Sequence, residues 1–207
     1  MRSIDRIARN ARVLAACALA VLAGCATTAS HEEFFTLTSP ADGAAAPSAY
    51  SPAVFVGPVS IPEGVDRPQM VLTTGPNRVD IADEYHWAEP LRDAIARAVA
   101  QGLSRELGTG RVLVSSAASG SRVDYRVAIE LQRFDSSFSD GAAIDALWTV
   151  SSADGKRARN GRSAQREPDA SHDAAGIAAA HARALERMAG DIAQAIRALQ
   201  SEAAGTR

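Results

Sequence analysis

A strict alternation of apolar and polar or small residues from Val123 to Gln132 constrains the fold of this 207-residue chain more than any other feature. The apolar positions are Val123, Tyr125, Val127, Ile129 and Leu131. Successive side chains of a strand point to opposite faces of its sheet, so the pattern predicts a strand with one buried and one solvated face. A sheet built around it needs a covering layer on one side only.

The residues after this strand predict an antiparallel meander. Asp140-Gly141 is a hairpin-turn signal, and Ile144–Val150 alternates again as a returning strand. A third strand follows Asp154-Gly155 and carries a basic run from Lys156 to Arg166. Two roles for this run stay open: charge that protects an exposed sheet edge from aggregation, or contact with anionic headgroups or an acidic partner.

The first third of the chain predicts short strands. They are expected at Phe34–Leu37, Val54–Ile61, Met70–Thr73 and Val79–Ile81, with a loop over residues 39–52. Gly57-Pro58 interrupts the second of these strands. A proline cannot donate to a ladder, so this strand is expected at an edge or at a bulge.

Two segments have helical periodicity. Leu91, Ile95, Val99 and Leu103 recur every four residues, and Pro90 and Gly108 suit the start and end of this helix. A longer stripe runs from Ile177 to Leu199, with Ser171 or Asp173 as its cap.

Two helices and a sheet predict one α+β domain, with a mixed, mostly antiparallel sheet and two main helices packed on it. We expect it to cover residues 34–200, followed by a polar tail at 201–207.

The N-terminus carries a bacterial lipoprotein signal. A basic start and about ten apolar residues precede Leu22-Ala23-Gly24-Cys25, and the apolar stretch is too short to span a bilayer. We expect residues 1–24 to be removed and Cys25 to receive a diacylglycerol and an N-acyl chain, which together anchor the protein firmly. An ordinary secretory signal with Cys25 near the cut is the alternative.

The mature chain would start with a short tether at 25–33. Ala26 after the cysteine follows the usual sorting pattern of outer-membrane lipoproteins, so the domain is expected to face the periplasm. Cleavage removes four arginines and one aspartate and lowers the formal charge from −2 to −5. Nothing in this charge favours nucleic acid.

No catalytic signature emerges from the sequence. The hydrolase, nucleotide-binding and zinc motifs are absent, so we expect no catalytic residue, no metal and no cofactor beyond the acyl groups. His31 and His172 are expected in solvent, and His181 in the packed stripe of the last helix. His86, beside Trp87, suits a contact surface or packing at a helix start. Acidic residues there, namely Asp83, Glu84 and Glu89, are expected to favour the helix dipole.

Three segments resemble PqiC-type lipoproteins, the auxiliary lipoprotein component of ABC-type transporters. They are Val56–Pro62, Val65–Val71 and His86–Leu91. The resemblance runs from the lipobox to the last helix, although Gly64 stands where the family often has an aromatic residue and His86 where arginine is frequent. It implies a mixed sheet with helices and no enzymatic activity.

The resemblance also implies a function. The family works with an MCE-domain protein and an inner-membrane transport component to move phospholipids, and it docks that assembly at the outer membrane, in a ring-shaped homo-oligomer. The candidate partner-contact residues are Pro58, Pro62, Asp66, Arg67, Trp87 and Glu89. These residues could equally be determinants of the fold. Alternative functions are an accessory of another ABC transporter or envelope-assembly complex, and a periplasmic hydrolase.

Overall fold

The computed structural model describes residues 31–37, 51–114 and 122–205. The expected signal peptide, Cys25, most of the tether and most of the loop at 39–52 lie outside the described residues. The chain from Glu32 onward forms one compact unit. Within the described part of the chain, no helix combines the length and apolarity that a membrane span requires.

The described residues form eight strands and two helices. The strands are β1 (Glu33–Phe35), β2 (Val54–Ser60), β3 (Gln69–Gly75), β4 (Arg78–Trp87), β5 (Val112–Val114), β6 (Tyr125–Ser137), β7 (Gly141–Ser152) and β8 (Ala158–Glu167). The helices are α1 (Leu91–Leu107) and α2 (Ala174–Gly205). The α+β class and the two main helices are therefore confirmed.

The sheet is mixed, and the prediction of a mostly antiparallel sheet is wrong. Its path is β1-β4-β3-β6-β2-β5, and β7 and then β8 continue from the other edge of β6. The parallel pairs are β1–β4, β2–β5, β2–β6 and β3–β6, whereas β3–β4, β6–β7 and β7–β8 are antiparallel. Short hairpin turns in a sequence predict antiparallel strand pairs. Parallel strands are joined by long crossover connections, so no short sequence motif predicts their pairing.

Strand β6 branches the sheet. One edge of β6 pairs with β2 from Tyr125 to Glu130 and meets β3 near its end, where Leu72 lies opposite Ser136. Its other edge pairs with β7 along its length. The bulge predicted in β2 is present as a register shift between Val56 and Val59, but β2 is not an edge strand because β5 and β6 flank it.

Helix α1 begins and ends close to its predicted signals, and so does the start of α2. Gly108 ends α1 in the left-handed conformation, with φ of 59°. Asp173 caps α2, and its Oδ1 accepts a hydrogen bond of 2.7 Å from the backbone N–H of Gly176. Helix α2 continues to Gly205, into the segment expected to be a polar tail.

The core lies between the helices and one face of the sheet. Alternate residues of β6 and β7 are buried beneath α2, while their neighbours face outward. The helices approach each other where Gly102 of α1 lies against Ala189 of α2. The predicted two-layer arrangement therefore follows from one apolar stripe per helix and one apolar face of the sheet.

The basic run lies on an outer strand. Strand β8 pairs with β7 on one side, as the edge-strand interpretation requires. Arg157 donates a hydrogen bond of 2.7 Å to the Leu199 carbonyl, Arg159 pairs with Glu202, and Arg162 forms an ion pair of 2.5 Å with Asp145. The chain itself thus holds three arginines of this run, which favours the protective role over membrane contact.

Candidate functional site

Four of the six candidate contact residues meet in one cleft. Asp66, Arg67, Trp87 and Glu89 line a cavity of about 410 Å³, together with Pro68, Pro90 and Leu91. We call it the Trp87 cleft. Most of its wall is apolar. Its charged groups are Asp66 and Arg67, between β2 and β3, and Glu89, just before α1.

A backbone hydrogen bond joins the segment after β2 to the end of β4, and α1 follows β4 closely in the chain. The segment after β2 turns as Val65 N–H donates to the Pro62 carbonyl (3.1 Å). Trp87 N–H then donates to the Pro68 carbonyl (2.7 Å), which fixes this segment to the end of β4. Helix α1 starts four residues after Trp87, at Leu91. Residues that are 20 positions apart in the sequence are thereby held side by side.

Trp87 is a fixed wall of the cleft. Its side chain is 5% exposed, and its ring packs edge-on against Phe134 and His181 at centroid distances of 6.1 and 6.2 Å. Because the indole is held from behind by two rings, it presents a rigid apolar surface to the cleft. The same packing makes Trp87 a contributor to the core, as expected of a residue that determines the fold.

The two carboxylates of the cleft are engaged by α1. Asp66 Oδ2 lies 2.5 Å from Arg92 Nη2, and Glu89 forms an ion pair with Arg97. Arg67 differs: its Nε atom is buried and has no hydrogen-bond partner among the described residues. Buried donors are almost always satisfied in native proteins, so an unsatisfied guanidinium N–H requires an explanation.

The two remaining candidates do not line the cleft. Pro58 is an exposed residue of β2 next to the bulge, and half-buried Pro62 supplies the carbonyl of the turn that precedes the cleft. Pro62 therefore shapes the segment that carries Asp66 and Arg67. Pro58 is not among the described residues that line the cleft.

The histidines occupy separate environments. His181 is fully buried and shares a hydrogen bond of 2.9 Å with Ser136 Oγ, as expected for a packed histidine. Burial lowers the pKa of His181 to about 3. His86 faces Phe34, with ring centroids 5.5 Å apart, and exposed His172 bonds the Phe138 carbonyl through Nδ1 (2.6 Å). In residues 31–37, 51–114 and 122–205, no group of three His, Cys, Asp or Glu residues could hold a metal ion.

The acidic residues near α1 are only partly explained by its dipole. Asp83 and Glu84 are exposed residues of β4, so the expectation that they favour the helix start is wrong. Glu89 lies just before α1 and pairs with Arg97. The acidic residues before α1 did not indicate that β4 continues to Trp87, four residues before the helix starts.

Sequence reasoning missed the apolar wall and the two arginines that pair with the carboxylates of the cleft. Pro68, Pro90 and Leu91 line the cleft, and Arg92 and Arg97 hold its carboxylates. Both arginines lie on the polar face of α1, which the helical periodicity of the sequence indicates. Their carboxylate partners could not be predicted, because they lie 26 and 8 residues away in the sequence. A larger depression of about 730 Å³ beside the β3–β4 turn was also missed, and its Arg133 and Asp135 pair with each other.

Comparisons with known proteins agree on the fold. The family model described as "ABC-type transport auxiliary lipoprotein component" matches residues 35–193. A solved structure described as an uncharacterized protein has a TM-score of 0.64 at 16% identity, covering 80% of this chain and 99% of its own. A Xanthomonas campestris protein of family DUF330 has a TM-score of 0.56 at 20% identity, covering 82% of this chain and 98% of its own. No curated protein matches.

Proposed function

The chain belongs to the ABC-type transport auxiliary lipoprotein family, as its three motifs predicted, and from this premise we propose that it docks a transport assembly at the outer membrane. In this proposal, it is a periplasm-facing subunit of an MCE-type intermembrane phospholipid transport system. It acts with an MCE-domain protein and an inner-membrane transport component, and it assembles with copies of itself in a ring. Its role is structural and serves envelope integrity.

The anchor is the first part of the proposal. Cys25 carries a diacylglycerol and an N-acyl chain, and three chains bind a membrane far more firmly than the single myristoyl group that gives marginal binding. The domain starts at β1 only eight residues after Cys25. The short separation keeps the domain near the bilayer to which the transport assembly has to connect.

The Trp87 cleft is the observation that carries the docking role. The second and third family motifs come together there, although the sequence separates them by about 20 residues. The described residues that line the cleft include no serine, threonine, cysteine or histidine, and both carboxylates among them are ion-paired. A mostly apolar recess with one cation suits recognition of a partner better than acid–base or nucleophilic chemistry.

The direct test is capture of the partner by the acylated protein. We expect the purified full chain to retain an MCE-domain protein encoded in the same gene neighbourhood, and Arg67→Glu to reduce the retained amount at least tenfold. Arg78→Glu, the same charge reversal at an exposed position of β4, is the matched control and should retain the partner. No association, together with normal detergent resistance of a deletion strain, would contradict the proposal.

A further inference from the structure

We propose that the Trp87 cleft binds a peptide segment of the partner protein in which one carboxylate lies beside a bulky apolar side chain. This inference rests on the proposed function, because it specifies what the docking subunit recognises. Three features of the cleft carry it: an unsatisfied guanidinium, carboxylates that are already paired, and a small, rigid apolar recess.

The guanidinium of Arg67 supplies the specificity for an anion. Arg67 lines the cleft, and its buried Nε–H has no acceptor among the described residues. A planar guanidinium offers parallel N–H donors that match the two oxygens of a carboxylate. Because Nε itself is buried, an incoming carboxylate would be bound by the terminal N–H groups of this half-buried side chain, which forms no ion pair with a described residue.

The pairing of the acidic residues leaves the charge of Arg67 available. Asp66 is held by Arg92 and Glu89 by Arg97, so these two arginines are neutralised and Arg67 is not. The five groups together carry one net positive charge. Both neutralising arginines belong to α1. The net charge of the cleft is therefore set by the protein itself and does not require a bound ligand.

The apolar wall supplies the second half of the recognition. Pro68, Trp87, Pro90 and Leu91 form it, and the packing of Trp87 on Phe134 and His181 keeps it rigid. A rigid recess binds a side chain without paying for its own ordering. One bulky apolar side chain next to the carboxylate would bury its surface against this wall.

The small volume of the cleft disfavours a phospholipid as its ligand. A cleft of about 410 Å³ leaves most of two acyl chains in water. The observations therefore favour a protein segment over a lipid headgroup, and the experiment includes both.

The probe is a phage-displayed library of random heptapeptides, selected on the immobilised full-length acylated protein in detergent. We expect the selected sequences to share one Asp or Glu next to Leu, Ile, Phe or Trp. Replacing that Glu by Gln in a synthetic peptide, or Arg67 by Gln in the protein, should weaken binding roughly 10- to 100-fold, since a buried charged pair is lost. Arg78→Gln should bind like the natural protein, and Arg67→Lys should recover only part of the affinity.

Three outcomes of the peptide and lipid experiments would overturn the inference, and one outcome of the capture experiment would do so as well. One is selected peptides without a shared acidic residue, and another is equal binding by Arg67→Gln. The third is binding of monomeric dihexanoylphosphatidylglycerol that depends on Arg67 and competes with the peptides, which would assign the cleft to a headgroup. If the MCE-domain partner is captured in an Arg67-independent way, the docking role stands and this inference fails. If the peptides bind but no MCE-domain protein is captured, the cleft chemistry stands and the proposed function fails.

Discussion

The imidazole of His181 stacks on the phenyl ring of Phe134, with centroids 3.8 Å apart and planes 6° from parallel. Nε2 of His181 shares a hydrogen bond with Ser136, whereas Nδ1 is buried without a partner among the described residues. A protonated imidazole needs an acceptor for both N–H groups. The site behind Trp87 therefore strongly favours the neutral ring.

We expect the free energy of unfolding to decrease as the pH is lowered, because of His181. Burial lowers the pKa of His181 to about 3 from its ordinary value of 6.5. Between these values the unfolded chain binds more protons than the folded one, so this contribution is complete above about pH 6.5 and is lost progressively down to about pH 3. From neutral pH to about pH 5, the loss is about 2 kcal/mol.

Urea unfolding at several pH values measures this effect. His181→Gln keeps a hydrogen-bonding group near Ser136 but does not titrate, so its stability should depend less on pH over the same window. An identical pH dependence of the two proteins would show that His181 is not the group responsible.

Two helical glycines form a matched pair with opposite expected effects. A Cβ at Gly102 would lie 2.6 Å from the Cβ of Ala189, whereas a Cβ at Gly190 would meet nothing within 4 Å. Gly102→Ala should therefore force α1 and α2 apart and destabilise the protein by about 1–3 kcal/mol. Gly190→Ala should stabilise it by about 0.5–1 kcal/mol, because alanine favours the helix. Thermal unfolding of both variants checks this, and destabilisation by both would contradict the helix-contact explanation.

The arginines of β8 should protect the sheet edge rather than bind the membrane. Arg159 and Arg162 are exposed but pair with Glu202 and Asp145. Because exposed ion pairs contribute little, Arg159→Ser with Arg162→Ser should change the free energy of unfolding by less than about 1 kcal/mol. We expect faster aggregation, measured by light scattering, and unchanged affinity of the domain for anionic vesicles. A large loss of vesicle binding would instead support the membrane interpretation.

Replacing the acylated cysteine should separate anchoring from folding. We expect Cys25→Ser to move the protein from the membrane fraction to the soluble periplasmic fraction and to abolish complementation of a deletion strain. The circular dichroism spectrum and thermal midpoint of the domain should not change, because Cys25 precedes the first strand by eight residues. Membrane retention of Cys25→Ser would show that the acyl group is not the anchor.

The elements themselves could be predicted because their signals are local. The four-residue spacing of Leu91, Ile95, Val99 and Leu103 produced α1, and the alternation after Val123 produced the buried face of β6. Gly108 and Asp173 marked helix ends through backbone conformation and side-chain capping. In each case, the physical cause acts within a few residues.

The candidate site was predicted in part. The motifs indicated Asp66, Arg67, Trp87 and Glu89, but they equally indicated Pro58, which lies away from the cleft. No local pattern could show that the carboxylates of the cleft are neutralised by Arg92 and Arg97, or that Arg67 Nε is left without a partner. These properties depend on which side chains meet after folding.

The sequence by itself determined the type of each element, the apolar faces and the membership of a lipoprotein family. These properties follow from periodicity and short motifs, which involve residues that are close together in the sequence. The tertiary structure decided which strands pair in parallel, where β6 branches the sheet, and how the residues after β2 come to lie against the end of β4. The hydrogen bond from Trp87 to Pro68 and the packing behind Trp87 join segments that are distant in the chain. Such contacts form only once burial of the core has brought the two segments together.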